Sequence, residues 1–170
     1  SFEHGELSNS QRQAIITVLE KPGEDWQLIK NWRPISLLNH DFKILTKALS
    51  LRFRKVLPDI IHHNQSGYVD GRYIGDSIRL VQDVMEISKI RNLSGMLLFI
   101  DFQKAFDTIE FDFIFKALEK FNFGKNIIKW IKILYKNATS CVVNNGISSC
   151  YFDVNRGVRQ GYPLSPYIFI

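Results

Sequence analysis

Between Met96 and Ile100 the chain runs through five consecutive apolar residues, and the sixth position is Asp101. Such a run predicts a strand with both faces apolar, which belongs in the middle of a sheet. A carboxylate delivered at the end of a buried strand needs a partner, because an unpaired buried ion costs several kcal/mol. One resolution is a buried pair with Arg or Lys. The other is a hard divalent cation, since Mg²⁺ takes oxygen ligands and keeps open positions for phosphate. Asp101 is therefore the first candidate metal ligand.

The rest of the chain limits the choices. Its 170 residues fit one large domain or two small lobes, and 45% hydrophobic residues is ordinary for a globular core. The formal charge of +5 permits a polyanionic partner without requiring one. The distribution is more telling. From Gln27 to Pro58 seven basic residues face a single acidic one, Asp41. A second stretch holds Lys116, Lys120, Lys125, Lys129, Lys132 and Lys136 against Glu119. Each run alone reads equally as a solvated helix face; two of them flanking a carboxylate motif favour a nucleic-acid backbone or nucleotide phosphates. Cys141 and Cys150 have no metal-type spacing and read as core thiols. The rings of the adjacent pair His62-His63 are expected to diverge in a loop. No segment reaches membrane-spanning length. The chain starts without Met and stops inside the apolar stretch Tyr167 to Ile170, so it is expected to be a fragment.

Coarse patterning gives an α+β fold with an antiparallel sheet. Residues 14–19 are β-branched and read as a strand, with a turn at Lys21 to Asp25. Residues 26–34 form a connector. Asp41 is expected to cap a helix running to about Leu57, stopped by Pro58. His62 to Asp70 is a loop with a short strand. Ile74, Ile78, Val81 and Met85 mark an amphipathic helix that breaks near Asn92 to Gly95. Residues 111–121 and 127–135 are two more helices. Residues 140–143 and 151–154 form a hairpin around Asn144-Asn145-Gly146.

Three further segments bear on chemistry. Gly157-Val158-Arg159-Gln160-Gly161-Tyr162-Pro163-Leu164-Ser165-Pro166 brackets Arg-Gln with glycines, which allow close backbone approach to a ligand. It supplies an amide and a planar cation for phosphate or carboxylate. Ser165-Pro166 suits the first turn of a helix, with Ser as cap. The second segment, Asn31 to Asn39, places Arg33 before Pro34 inside a basic region. The third, Gln65 to Arg72, combines an aromatic, two glycines and an Arg in a loop suited to a polynucleotide. Asp107 either caps the following helix or pairs with a nearby base.

Together, and in this order, these motifs resemble the reverse transcriptase domain of non-LTR retrotransposons, the long interspersed element type. Phe2 to Lys21 is similar to the family's opening segment. Asn31 to Asn39 is similar to its Arg-Pro-Ile-Ser-Leu finger motif and Gln65 to Arg72 to a template-contacting finger loop. Phe99 to Asp107 matches its first palm motif, and Gly157 to Pro166 its Arg-Gln-Gly-x-Pro-Leu-Ser-Pro motif. The resemblance implies a right-hand polymerase fold: fingers over residues 1–92, and a partial palm with intervening finger helices over 93–170. The rest of the palm and the thumb would lie outside the chain. It implies an RNA-directed DNA polymerase acting on an RNA template, a DNA primer and deoxynucleoside triphosphates, with two Mg²⁺ ions, inside the cell in nucleus and cytoplasm. By the same resemblance Asp101 and the backbone carbonyl of Phe102 are metal ligands. Phe106 is the aromatic gate against a 2′-hydroxyl, Gln160 and Gly161 meet the incoming nucleotide, and Arg33, with Lys21, holds its triphosphate. Gly67 and Arg72 track template backbone.

The family's Asp-Asp pair is not present in this sequence. The chain alone is therefore expected to be inactive. Two other readings stand beside the enzyme: a non-catalytic RNA-binding relic of a decayed element, and a Mg²⁺-dependent phosphatase built on Asp101. The second would use an Asp two residues on, where this chain has Gln103.

Overall fold

The computed structural model describes residues 2–170. Short α1 (Asn9–Arg12) leads into strand β1 (Gln13–Glu20), and β2 (Trp32–Leu38) returns antiparallel to it in the register Glu20↔Trp32 to Ala14↔Leu38. The expected connector thus ends in a strand. Proline is unfavourable in a central strand, but β2 is an edge strand, where Pro34 is tolerated.

β3 (Thr139–Asn144) pairs with the other side of β1, and the pairing is parallel: Gln13↔Thr139 to Thr17↔Val143. The antiparallel sheet expected from sequence is therefore a mixed one, because a strand from late in the chain docks beside one from its start. β4 (Ile147–Ser148) closes a tight hairpin on β3 through Asn145 and Gly146, both at positive φ, and β5 (Phe152–Asp153) pairs with the start of β3. This two-residue Asn-Gly turn matches the twist of a hairpin. The sheet order is β2-β1-β3-β4.

Helix α2 (His40–Ile60) runs three residues beyond the expected stop, with Pro58 inside its last turn. Its cap is Asn39, whose side chain accepts from the Asp41 backbone N–H at 2.9 Å, so Asp41 lies in the first turn. Phe42, Leu49, Phe53 and Leu57 form its buried stripe. α5 (Phe111–Lys120) and α6 (Lys125–Tyr135) bring Ile114, Leu118, Ile128, Ile131 and Leu134 to the same core, with Phe53 stacked on Phe123 at 4.8 Å. Burying a large apolar side chain of this kind stabilises by roughly 1.5–3 kcal/mol.

Three regions depart from expectation. The first is the apolar run itself. Residues 93–102 belong to no helix or strand, and Met96, Leu98, Phe99 and Ile100 are largely exposed. Both edges of β1 are taken by β2 and β3, and among the described residues no strand pairs with the run. The second is α3 (Ile74–Ile90), which forms as its periodicity predicts yet buries no residue. The third is the loop after α2, which contains no strand and in which the His62 and His63 rings lie 4.1 Å apart rather than diverging. Cys141 is buried as expected; Cys150 is exposed, and both are free thiols. No helix is long and apolar enough to cross a membrane among the described residues.

Candidate nucleotide-binding site

Asp101 is exposed, in the irregular segment just before the turn that starts the site. It is neither buried nor locked to a base. Lys104 then takes the left-handed conformation (φ 50°), which reverses the chain into the single turn α4 (Ala105–Thr108). This turn carries Phe106 and Asp107.

Residues 156–161 lie directly against that turn. The Val158 N–H donates to the Phe106 carbonyl at 2.6 Å and the Gly157 N–H to the Ile109 carbonyl at 2.7 Å. Gly157 sits at φ 90°, and a Cβ there would come within 3.0 Å of the Asp107 carbonyl oxygen. Gly161 sits at φ 92°, where a Cβ would meet the Ser36 carbonyl at 2.6 Å. Only glycine fits either place. The two glycines of the Arg-Gln bracket thus seat the loop on α4 and on β2. Side chains add to the seam: Gln160 Nε2 donates to Asp107 Oδ1 at 2.8 Å, across 53 residues of sequence. Phe106 stacks on Phe169 of α7 (Ser165–Phe169), with ring centroids 4.2 Å apart and planes 14° from parallel. Ser36, Asp107, Arg156 and Gln160 line a cavity of about 210 Å³.

Arg159 supports this loop from below. It is only 6% exposed, and its Nη2 donates to the carbonyls of Arg12 (2.6 Å) and Thr139 (3.3 Å), tying the loop to the starts of β1 and β3. Burial lowers its pKa from the usual value, since the charged form is the one that suffers from lost water. It therefore acts inside the fold, not as an exposed phosphate fork. The Ser165 hydroxyl bonds the Arg159 carbonyl instead of capping α7, so the expected cap role is replaced by a loop brace. Tyr162 and Tyr135 share a hydroxyl–hydroxyl bond of 2.6 Å in the core. Burial pushes the Tyr162 pKa up to about 12 and raises that of Tyr135 as well.

The remaining predicted residues lie apart from this cavity. Lys21 follows β1, its backbone N–H extending the ladder to the Asn31 carbonyl and its Nζ donating to the Lys30 carbonyl. Arg33 pairs with Leu19, so it shares a sheet face with Ile35. Pro34 and Ser36, which line the cavity, alternate to the opposite face. Lys21 and Arg33 are thus neighbours at the hairpin tip, but not in the cavity.

Arg72 donates to four carbonyls: His62 and Gln65 through Nη1, Pro58 and Ile61 through Nη2. It closes the C-terminal end of α2 and shapes the loop carrying Gly67 and the exposed Tyr68 (φ 60°). Arg54 holds the same loop through a two-pronged bond to Asp70, which also raises the Arg54 pKa. The Arg72 fork is thus engaged by the loop itself.

The sequence suits Asp107 to a helix cap or to pairing with a base; its partner in the structure is the Gln160 amide. The available signal was its adjacency to Phe106, but nothing local in the sequence links it to Gln160. For metal, the exposed carboxylate of Asp101 and the nearby Phe102 carbonyl suit part of a Mg²⁺ shell completed by water and phosphate. Among the described residues no group of three acidic, His or Cys side chains gathers to hold an ion.

The family pattern described as reverse transcriptase (RNA-dependent DNA polymerase) matches residues 19–170, most of the chain. The chain belongs to the reverse transcriptase family. It is 40% identical over 169 residues to the transposon TX1 uncharacterized 149 kDa protein of Xenopus laevis, covering 99% of this chain and 13% of that protein. It is 27% identical over 156 residues to the Pol polyprotein from the type-1 retrotransposable element R2 of Popillia japonica, covering 90% of this chain and 21% of that protein. It is also 27% identical over 165 residues to a probable RNA-directed DNA polymerase from transposon BS of Drosophila melanogaster, covering 93% of this chain and 18% of that protein. These matches agree with the non-LTR retrotransposon type indicated by the motifs. The chain spans about a fifth or less of these relatives' length.

Proposed function

We propose that this chain carries the fingers and part of the palm of a right-hand RNA-directed DNA polymerase, and that residues 101–107 and 157–161 form one nucleotide site. The observation that carries the reading is the seam itself. Backbone bonds from Val158 to Phe106 and from Gly157 to Ile109, with the Gln160–Asp107 bond, join the segments carrying Phe106 and Gln160, which supports reading the two as sugar gate and nucleotide amide of one site.

Polymerisation is in-line attack of a primer 3′-oxygen on the α-phosphorus of a deoxynucleoside triphosphate on an RNA template. Divalent ions, two Mg²⁺, would supply charge neutralisation to the attacking and leaving oxygens when bound. Asp101 and the Phe102 carbonyl would hold part of that set. The remaining carboxylates would come from elsewhere in the polymerase. Phe106, stacked on Phe169, would be the ring that excludes a 2′-hydroxyl. Gln160 and the side-chain-free Gly161 meet the nucleotide. Lys21 and Arg33, neighbours at the hairpin tip, would supply positive charge to the triphosphate. The loop that Arg72 braces presents Gly67 and its neighbours to the template backbone.

The test is primer extension on an RNA template by the full-length polymerase and its Asp101→Asn variant. Loss of synthesis with template binding retained supports the reading. Normal synthesis by the variant overturns it. Residues 1–170 alone are expected not to extend a primer.

A further inference from the structure

Gln160 is held by a carboxylate, and that fact dictates which end of its amide is free. An ionised carboxylate only accepts hydrogen bonds, so the amide nitrogen must face Asp107 and the carbonyl oxygen must point away from it. Asp107 is itself well fixed. Its backbone N–H donates to the Lys104 carbonyl at 2.8 Å, and Gly157 packs against its main chain. Asp107 also directly follows Phe106, whose carbonyl is pinned to the same loop that carries Gln160.

We propose that Asp107 is a positioning residue for nucleotide selection. It locks the Gln160 amide so that Oε1 is offered as an acceptor, and it mounts that acceptor on the same turn as the Phe106 ring. The group such an oxygen recognises is a donor, of which the nucleotide sugar offers hydroxyls. Without Asp107 the amide is free to rotate and to offer NH₂ in place of oxygen, which repels the same donor. The proposal rests on the reading of Gln160 as a nucleotide contact.

The test is single-nucleotide incorporation by the full-length polymerase carrying Asp107→Ala, Asp107→Asn, Gln160→Ala, or Asp107→Ala with Gln160→Ala. Asp107→Ala is expected to raise KM for the deoxynucleotide about ten-fold, the worth of one hydrogen bond to a charged group, while kcat changes little. Asp107→Asn should restore most of the affinity, because its Oδ1 accepts the same bond. The double variant should be no worse than Gln160→Ala alone, since the two residues act as one unit. Thermal melts of each variant establish folding; Asp107 is exposed, and its replacement is expected to leave the melt unchanged.

Two results overturn the proposal by itself. One is strict additivity of the two alanine variants. The other is an Asp107→Asn enzyme as damaged as Asp107→Ala with the loss in kcat, which would make the carboxylate a participant in chemistry. If Gln160→Ala leaves KM unaltered, the underlying reading of Gln160 fails and the proposal falls with it.

Discussion

The loop around Gln160 and the segment around Asp101 are the two motifs with the strongest chemistry, and they are built in opposite ways. The first is held from every side. It rests on Arg159 and Tyr162 in the core, closes on α4 through two backbone bonds, and touches β2 at Gly161. The second is held only at its end, by the Lys104 turn, and its apolar run faces solvent. The comparison separates two requirements of a catalytic residue. Where a side chain sits in sequence is a local property; what holds it in place is a property of whatever packs against it.

The largest effect expected from this contrast lies in catalysis. If Asp101 holds metal as proposed, Asp101→Asn in the full-length polymerase should lower the rate of synthesis on the order of a thousand-fold or more, several kcal/mol of barrier. It should leave the melting temperature of residues 1–170 unchanged, because Asp101 is exposed. A large loss of stability would show that Asp101 is structural after all.

Next comes stability. Phe42 is 1% exposed and Phe99 is 77% exposed. Phe42→Ala should cost roughly 3 kcal/mol or more, while Phe99→Ala stays within about 0.5 kcal/mol, both read by urea denaturation of the chain. Equal effects would erase the distinction between the two regions. Amide hydrogen exchange sharpens it: residues 96–102 should exchange at near-unprotected rates while β1 and β3 resist.

The smallest effect concerns pH. The Tyr162 hydroxyl titrates near 12 in the fold against about 10 when unfolded. A group raised on folding gives stability that is fully present below its unfolded pKa and is lost as pH rises towards the folded value. Stability should therefore fall between about pH 10 and 12, by about 1.4 kcal/mol per unit for Tyr162. Tyr162→Phe should flatten that slope. An unchanged slope would show that the tyrosine pair is not sealed in the core.

Much of this was legible in the sequence, for physical reasons that differ by element. α2, α5 and α6 announce themselves because their apolar residues repeat at helical spacing and each has a core to bury them in. The Asn145-Gly146 turn was legible because few residues accept positive φ. β2 was hidden by Pro34, which argues against a strand unless the strand is known to be an edge. The parallel pairing of β1 with β3 was hidden by more than a hundred residues of intervening chain. The Asp107–Gln160 bond is hidden by the 53-residue separation of its partners, although each sits in a recognisable motif. The apolar run from Met96 predicts a buried strand, yet it lies exposed, because hydrophobicity reports a need for cover and not its source.

The most direct test of the claim that these two motifs make one nucleotide site is sugar discrimination. Single-nucleotide incorporation of a ribonucleotide and the matching deoxynucleotide should be compared for the full-length polymerase and its Phe106→Ala variant. The preference for deoxynucleotide should fall at least ten-fold, on the order of the 1.4 kcal/mol that such a factor represents, with ribonucleotide kcat/KM rising. Unchanged discrimination between the two sugars would contradict it.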